Sequence, residues 1–317
     1  MKPGAKARAS APATVSNLGP GYDVLGGALV APRDVVEVEL TTTGRVECVE
    51  IQGDGGKLPL QSDRNCATYV ADQVLRTFGS PQLGLRLKLT KGLPLGSGLG
   101  SSAASGVAAA LATASLLEQK IDRLQLLSAC REGERLATGS PHPDNVAPAL
   151  LGGLVACLSR GGEAIEVVRL AAPDDLIFVC VKPDFAIATH MARSLVPATV
   201  PIADCVENSG NLAGLVSGLA SGDMGLVSRC LVDRLATPYR APLIDGYQQV
   251  VEAAMEAGAI GAGISGSGPT LFALTQGELP QAGAIRDAMV AAFEARGHGT
   301  LAFVSHLDPV GARLEPL

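Results

Sequence analysis

The chain has 317 residues, of which 47% are hydrophobic and 18% are charged. This length exceeds what a single hydrophobic core usually supports, so two domains are expected. The formal net charge of -6 and the lack of any basic run argue against nucleic-acid binding.

The N-terminal segment is basic without being apolar. Lys2, Lys6 and Arg8 are followed early by Pro12 and Ser16 instead of the continuous apolar run of a secretion signal. The seven cysteines are scattered without a close Cys-x-x-Cys pair, which is typical of reduced thiols and not of a disulfide framework or a zinc site. We therefore expect a cytoplasmic protein.

The first half of the chain predicts a sheet with one solvated face. Apolar and charged side chains alternate in residues 34–40, 45–51 and 83–90, as in half-buried strands of the antiparallel type. Residues 65–79 have the apolar spacing of a helix that ends at a glycine. Two further apolar helices are expected to cover this sheet, at 101–118 and 122–139.

The second half predicts another mixed unit. Residues 176–181 form a continuous apolar run, as expected of a central strand, and a glycine-rich turn is predicted at 261–269. The remaining predictions are helices at 204–221, 222–235, 245–257 and 280–296 and strands at 270–275 and 300–305. A turn with the sequence SRGGE separates the halves, so we predict domains at 1–164 and 165–317.

The stretch GLPLGSGLGSSAASG, residues 92–106, predicts an anion site. Glycines let the backbone approach a ligand closely, and the N–H groups at the start of a helix attract negative charge. The hydroxyls of Ser97, Ser101 and Ser102 are expected at the same place. The uncharged stretch from Gly92 to Leu117 has the length of a membrane span, but glycine, serine and proline fill its first half, so it does not suit one.

Other interpretations of this stretch are weaker. A Walker motif requires Gly-Lys-Ser/Thr, but Gly100 is followed directly by Ser101. A dinucleotide fingerprint requires an acid after a second parallel strand, whereas Glu118 lies at the end of the same predicted helix. A loop of small residues that only packs closely is the remaining alternative.

Residues 94–103, PLGSGLGSSA, resemble the phosphate loop of the GHMP kinases, Pro-x-x-x-Gly-Leu-Gly-Ser-Ser-Ala. This family is named for galactokinase, homoserine kinase, mevalonate kinase and phosphomevalonate kinase. Three further segments are similar to motifs of the family and follow its order: SAPATVSNLGPGYDVLGGAL at 10–29, GSPHPDNVAPALLGG at 139–153 and GAGISGSGPTLFAL at 261–274.

The resemblance implies an α+β fold of two domains. The N-terminal domain would be like domain 2 of ribosomal protein S5, and the C-terminal domain would be ferredoxin-like. The first and middle segments are most similar to the branch whose acceptor is L-homoserine. The resemblance therefore implies transfer of phosphate from ATP to the hydroxyl of L-homoserine, with Mg²⁺, on the route to threonine. We also expect a homodimer without nucleic-acid or membrane partners.

The same resemblance assigns the nucleotide site. Ser102 and Glu134 would hold Mg²⁺, a hard cation that prefers oxygen ligands. Glu134 has the alternative of a solvated helix residue paired with Arg131 or Arg135. Asn65 would lie near the adenine, or it would simply cap a helix. The residues that would contact the ATP phosphates are Pro94, Gly96, Ser97, Gly98, Leu99, Gly100, Ser101 and Ser102.

The acceptor site is assigned in the same way. Asp23 would meet the ammonium group of the amino acid, and Arg193 and Arg240 would bind its carboxylate. Asn17 and His142 would orient the hydroxyl end. Taken singly, Arg240 could instead be a surface arginine, and His142 a turn histidine.

A general base is missing from this prediction. The segment HPDNVAP offers Asn145, which cannot take a proton, so we expect direct phosphoryl transfer with late loss of the hydroxyl proton. Asp144 is the alternative base. Two other functions stay open, namely a GHMP kinase with another acceptor, such as mevalonate or a sugar, and a sensor that binds ligands without transferring phosphate.

Overall fold

The computed structural model describes residues 2–159 and 165–317, and it places them in two sheets covered by helices. The strands are β1 (Lys6–Ser16), β2 (Leu25–Thr41), β3 (Val46–Gln52), β4 (Gly84–Thr90), β5 (Leu154–Ser159), β6 (Ile165–Leu170), β7 (Leu176–Pro183), β8 (Gly261–Ile264), β9 (Leu271–Gln276), β10 (Thr300–His306) and β11 (Arg313–Glu315). The helices are α1 (Cys66–Phe78), α2 (Ser101–Ser115), α3 (Arg123–Thr138), α4 (Pro143–Leu151), α5 (Thr189–Ser194), α6 (Ile202–Ser221), α7 (Met224–Cys230), α8 (Thr237–Arg240), α9 (Tyr247–Glu256) and α10 (Leu279–Glu294).

The first sheet has the order β11-β1-β2-β4-β3, and β5 and β6 extend it beside the start of β2. The long pairings of β2 with β1 and β4 are antiparallel, as predicted. The pairing of β3 with β4 is parallel, so the expectation of purely antiparallel strands is wrong there. The reason is connectivity, because α1 lies between these two strands and returns the chain to the end of the sheet where it began.

The helices predicted at 65–79, 101–118 and 122–139 form as α1, α2 and α3 and pack with the first sheet in one hydrophobic core. The buried surface of α2 consists mainly of alanine, which lets it lie close to β1 and β2. Helix α4 was not predicted. Its two prolines, Pro143 and Pro148, obscure the pattern, although proline is well suited to the first turn of a helix.

The second sheet has the order β10-β7-β9-β8 with every pairing antiparallel. β7 lies between two neighbours and is buried along its whole length, which confirms the prediction of a central strand. This order, with helices after β7 and α10 after β9, is the ferredoxin-like arrangement. This half differs from prediction in several details. Residues 261–264 of the glycine-rich segment form β8, the helix predicted at 222–235 ends at Cys230, and α5 and α8 were not predicted.

The division between the halves follows the sheets only approximately. The predicted SRGGE turn falls mainly on residues 160–164, which lie outside the described residues. β6, which follows the predicted boundary, pairs with β5 in the first sheet, and β11 returns to the same sheet beside β1. The limits 1–164 and 165–317 stay a prediction, and strand pairing favours a division after Leu170.

A turn of the second half is hydrogen-bonded to the phosphate loop of the first half. The Ser265 hydroxyl donates to the carbonyl of Gly98 at 2.8 Å, and the N–H of Thr270 donates to the carbonyl of Ser97 at 3.2 Å. The turn between β8 and β9 therefore holds the loop between β4 and α2. Across the described ranges, none of the helices combines the length and apolarity needed to cross a bilayer.

Candidate active site

The loop between β4 and α2 turns sharply at its glycines. Gly98 and Gly100 have φ values of +79° and +67°, which L side chains rarely adopt. A Cβ atom at Gly98 would lie 2.3 Å from the carbonyl oxygen of Ser265, and one at Gly100 would lie 2.1 Å from Oγ1 of Thr14. Only glycine fits these two positions, and Gly100 leads directly into the first turn of α2.

A cavity of about 470 Å³ opens over this loop, a volume in the usual range for small-molecule sites. The predicted site residues that line it are Asn65, Gly96, Ser97, Gly98, Gly100, Ser101, Ser102, Glu134 and Asn145. Pro94 and Leu99 do not line it. Leu99 is fully buried, and its carbonyl accepts from the N–H of Thr14 at 3.0 Å, so it anchors the loop to β1.

Ser102 and Glu134, the two residues predicted to hold Mg²⁺, both line the cavity and contact each other. The Ser102 hydroxyl donates to the Glu134 carboxylate at 2.7 Å. Burial raises the pKa of Glu134 to about 7, although this hydrogen bond acts in the opposite direction. Glu134 is only 8% exposed, so it is not the solvated helix residue of the alternative interpretation, and Arg135 pairs with Glu132 instead.

Ser101 shows that the helix entrance suits an anion. Its Oγ is buried and has no hydrogen-bond partner among the described residues, and the residue lines the cavity at the N-terminal end of α2. An unpaired buried hydroxyl is costly unless a ligand completes its hydrogen bonds. Phosphate oxygens are suitable acceptors here, because the N–H groups of the first helical turn lie at the same entrance.

Asn65 caps helix α1. Its Oδ1 accepts from the N–H of Ala67 at 3.0 Å, and its Nδ2 donates to the carbonyl of Pro59 at 2.9 Å. The capping interpretation is therefore observed. The role near adenine stays a prediction for a residue that also lines the cavity.

A buried ion pair beneath the loop was missed by the sequence analysis. Lys91 forms a hydrogen-bonded pair with Asp34, and its Nζ also donates to the Ser101 carbonyl at 2.9 Å and to Ser105 Oγ at 2.8 Å. Asp34 accepts in addition from the N–H groups of Gly92 and Leu93, at 2.9 and 3.0 Å. The sequence contained a pattern that indicated this pair. Asp34 and Lys91, which directly follows β4, occupy positions in the alternation of β2 and β4 at which the other residues are apolar and face inward.

Asn145 is held at both ends of its amide. Thr14 Oγ1 donates to Asn145 Oδ1 at 2.7 Å, and Asn145 Nδ2 donates to Ser16 Oγ at 3.0 Å. Burial, together with the Asp23 charge, raises the pKa of Asp144 to about 6. Asn145 lines the cavity, whereas Asp144 does not.

The predicted acceptor residues converge from both halves of the chain. Arg193 donates to both oxygens of Asp23 at 2.9 Å, and Nδ1 of His142 lies 3.5 Å from the same carboxylate. Asn17 Nδ2 donates to the carbonyl of Gly266 at 2.9 Å, and its Oδ1 accepts from the N–H of Asp23. Asp23 and Arg193, predicted to bind opposite ends of an amino acid, thus pair with each other.

Arg240 is buried, so the alternative of a surface arginine is wrong. Its Nη1 donates to the carbonyl of Gly266 at 3.0 Å, and its Nε donates to that of Ala192 at 3.3 Å. Tyr22, which the sequence analysis also missed, lies between this guanidinium and that of Arg193. Burial lowers the pKa of His142, and Asp23 partly opposes this, so His142 is mainly neutral at pH 7.

Together, the fold, the glycine-serine loop and the acid facing Ser102 define a small-molecule kinase of the GHMP type. Family models agree, since "GHMP kinases N terminal domain" matches residues 65–153 and "GHMP kinases C terminal" matches residues 215–295.

Comparison with individual relatives shows which branch of the GHMP kinases this chain resembles. The homoserine kinase of Arabidopsis thaliana is 44% identical over 96% of this chain and 83% of its own length. That of Xylella fastidiosa is 40% identical over 98% and 94%. A crystal structure of homoserine kinase from Cytophaga hutchinsonii superposes with a TM-score of 0.93 at 39% identity, over 99% of this chain and 98% of the other. The chain belongs to the homoserine kinases of the GHMP kinase family.

A more distant structure shares the fold. L. major mevalonate kinase in complex with R-mevalonate superposes with a TM-score of 0.72 at 16% identity, over 96% of this chain and 98% of the other. The two-domain architecture is thus common to GHMP kinases with different acceptors, and the acceptor must be argued from the site.

Proposed function

We propose that this protein transfers the γ-phosphoryl group of ATP to the side-chain hydroxyl of L-homoserine. The product, O-phospho-L-homoserine, serves threonine biosynthesis. One observation carries the proposal: Gly266 lines the cavity over the phosphate loop, and its carbonyl accepts from both Asn17 and Arg240 of the acceptor cluster. A phosphate site and a cluster of opposite charges suited to a zwitterion therefore share a wall.

The nucleotide half of the proposal rests on the loop and α2. Backbone N–H groups from Gly96 to Ser102 and the unpaired Ser101 hydroxyl would bind the phosphates. Ser102 and Glu134 supply the oxygen ligands that suit Mg²⁺, which neutralises charge on the transferring phosphoryl group when it is bound. The protein's own contribution is alignment and charge compensation, which phosphoryl transfer chiefly requires.

The acceptor half rests on an exchange of ion-pair partners. In the protein alone, Asp23 and Arg193 satisfy each other through two hydrogen bonds. A zwitterion can replace both ends of this pair, its ammonium meeting Asp23 and its carboxylate meeting Arg193 and Arg240. A ligand that carries only one of the two charges would leave a partly buried ion without a partner, which costs binding energy. Asn17 and His142 would orient the hydroxyl end.

Proton transfer is proposed to need no general base. Asn145 lines the cavity with its amide fixed by Thr14 and Ser16, and an amide cannot take the proton. Asp144 does not line the cavity over the phosphate loop, which supports direct transfer over base catalysis by this carboxyl. The hydroxyl proton would leave late, to phosphate or water.

The first test is ADP release by the purified protein with Mg²⁺ and ATP. L-homoserine, D-homoserine, L-serine, mevalonate and galactose are offered separately. We expect turnover confined to L-homoserine, because only this compound combines the two charged groups, a hydroxyl at the right distance and the L configuration. Turnover of mevalonate or galactose would overturn the acceptor assignment. Tight ATP binding without turnover of any acceptor would favour the sensor function.

Arg193→Ala should raise the KM for L-homoserine by about 10- to 100-fold and leave the KM for ATP nearly unchanged, since it removes charge-assisted hydrogen bonds to the acceptor alone. Arg240→Ala should act in the same direction. Initial rates over a grid of both substrates measure the effect. Arg286→Ala is the control, because Arg286 forms an exposed pair with Asp287 on α10. An unchanged KM for L-homoserine in Arg193→Ala would remove Arg193 from the acceptor site.

The proposal also includes a cytoplasmic location and a homodimer. The seven cysteines are free thiols, which supports a reducing compartment. Sedimentation equilibrium at micromolar protein concentration tests the dimer, and a monomer mass would contradict it.

A further inference from the structure

Tyr22 lies between the two arginines of the acceptor cluster. Its hydroxyl oxygen accepts from Arg193 Nη1 at 3.2 Å and from Arg240 Nη2 at 3.3 Å. The guanidinium carbons of Arg240 and Arg193 lie 4.9 and 5.8 Å from the centre of its ring. Both contacts are attractive for a cation, so the phenol offsets the repulsion between the two positive groups.

The two arginines do not use all of the hydrogen-bonding groups of the Tyr22 phenol. A tyrosine hydroxyl can accept two hydrogen bonds and donate one, whereas an arginine can only donate. The two arginines therefore use the acceptor capacity of Tyr22, and the phenolic hydrogen stays available for a third partner. Burial and the Asp23 charge raise the pKa of Tyr22, so the hydroxyl keeps this hydrogen at physiological pH.

The third partner must be an acceptor that sits beside two guanidinium groups, and the carboxylate of an amino acid meets this requirement. We propose that the hydroxyl of Tyr22 donates a hydrogen bond to the carboxylate of the acceptor substrate, so that Tyr22, Arg193 and Arg240 form one three-donor carboxylate site. This inference rests on the proposed function. It adds a specificity residue that acts on one end of the substrate only.

Tyr22→Phe is the direct test, because it removes the hydroxyl and keeps the ring between the arginines. We expect the KM for L-homoserine to rise about 10-fold, the ordinary worth of one hydrogen bond to a charged group. The kcat and the KM for ATP should change less than about twofold, since the reacting hydroxyl and the phosphate loop are untouched. Tyr247→Phe is the matched control, because Tyr247 begins α9 and packs against the hydrophobic core of the second sheet.

Two substrate analogues separate a contact with the carboxylate from a general disturbance of the site. L-homoserinol replaces the carboxylate by a hydroxymethyl group, and 4-hydroxybutanoate keeps the carboxylate and lacks the ammonium. Inhibition constants against L-homoserine are measured for both analogues in wild type and Tyr22→Phe. We expect weaker inhibition by 4-hydroxybutanoate in the variant, by about 10-fold, and unchanged inhibition by L-homoserinol.

Equal weakening of both analogues would overturn the inference, since Tyr22 would then act only through the shape of the site. An unchanged KM for L-homoserine in Tyr22→Phe would also overturn it. These results differ from a failure of the proposed function. If Arg193→Ala raises the KM and Tyr22→Phe does not, only the role of Tyr22 is lost. If neither variant changes it, the acceptor site lies elsewhere.

Discussion

Glu134→Gln should lower kcat by about 100- to 1000-fold, the range found when one preorganised electrostatic contact to a transition state is removed. Glutamine keeps the volume of Glu134 and can still accept from Ser102, so the cavity wall is retained. What disappears is the negative charge that suits a divalent cation beside the phosphate loop. Initial rates at saturating ATP and L-homoserine over a range of Mg²⁺ concentrations measure the loss.

The same substitution should stabilise the metal-free protein at alkaline pH. Burial raises the pKa of Glu134 to about 7, above its ordinary value of 4.5, so the folded state holds a proton that the unfolded state has released. The contribution of Glu134 to stability is fully present below its ordinary pKa and is lost as the pH rises through about 7. At pH 8 the ionised carboxylate then costs about 2 to 3 kcal/mol of unfolding free energy, and glutamine avoids this cost.

Thermal unfolding of wild type and Glu134→Gln with a chelator, at pH 5.5 and pH 8, tests the direction of this change in stability. Asp144, whose pKa is raised to about 6, titrates in the same direction and is present in both proteins. Because its charge also contributes to the raised pKa of Glu134, the difference between the two proteins reports Glu134 together with its coupling to Asp144. Glu132→Gln is the control, because Glu132 pairs with Arg135 at the surface. A Glu134→Gln protein that is active but less stable at pH 8 would show that the carboxylate is structural.

The sequence predicted those parts of the site that depend on local chain geometry. The phosphate loop needs its glycines at Gly98 and Gly100 because neighbouring atoms lie where a Cβ would be, and this requirement appears directly as a motif. Strands with one wet face show a period of two. That pattern says nothing about direction, however, so the parallel pairing of β3 with β4 was missed.

Contacts between distant segments were beyond the sequence. Asp23 and Arg193 were each assigned to an acceptor, but their pairing depends on how α5 packs against the turn before β2, 170 residues away. In the sequence, Tyr22 looked like an ordinary aromatic residue of the segment at 10–29. Only the positions of two arginines from the second half give its hydroxyl a role. Helix α4 was hidden by its prolines, which favour a helix start only in the right register.

Asp34→Leu should be the most destabilising of the substitutions considered. It leaves the ammonium of Lys91 buried without its counter-ion, in a pair whose side chains are 1% and 0% exposed. Removing one partner of such a pair typically costs 3 to 5 kcal/mol, so we expect the Tm to fall by roughly 5 to 15 °C. Asp72→Ala is the control, because Asp72 forms a surface pair with Arg76 on α1 and should change stability by less than about 1 kcal/mol.

A second substitution separates the effect on folding stability from the effect on the phosphate loop. Adding Lys91→Met to Asp34→Leu removes the stranded charge, so part of the lost Tm should return. The rest stays lost, because the N–H groups of Gly92 and Leu93 still lack the acceptor that Asp34 provided. ATP affinity should not return, because Asp34 also holds the N–H groups of Gly92 and Leu93 where the phosphate loop begins. Calorimetric titration with ATP measures this. If the double variant regained both stability and ATP affinity, the ion pair would serve the core alone, and the loop would be positioned by its contacts to Thr14 and Ser265.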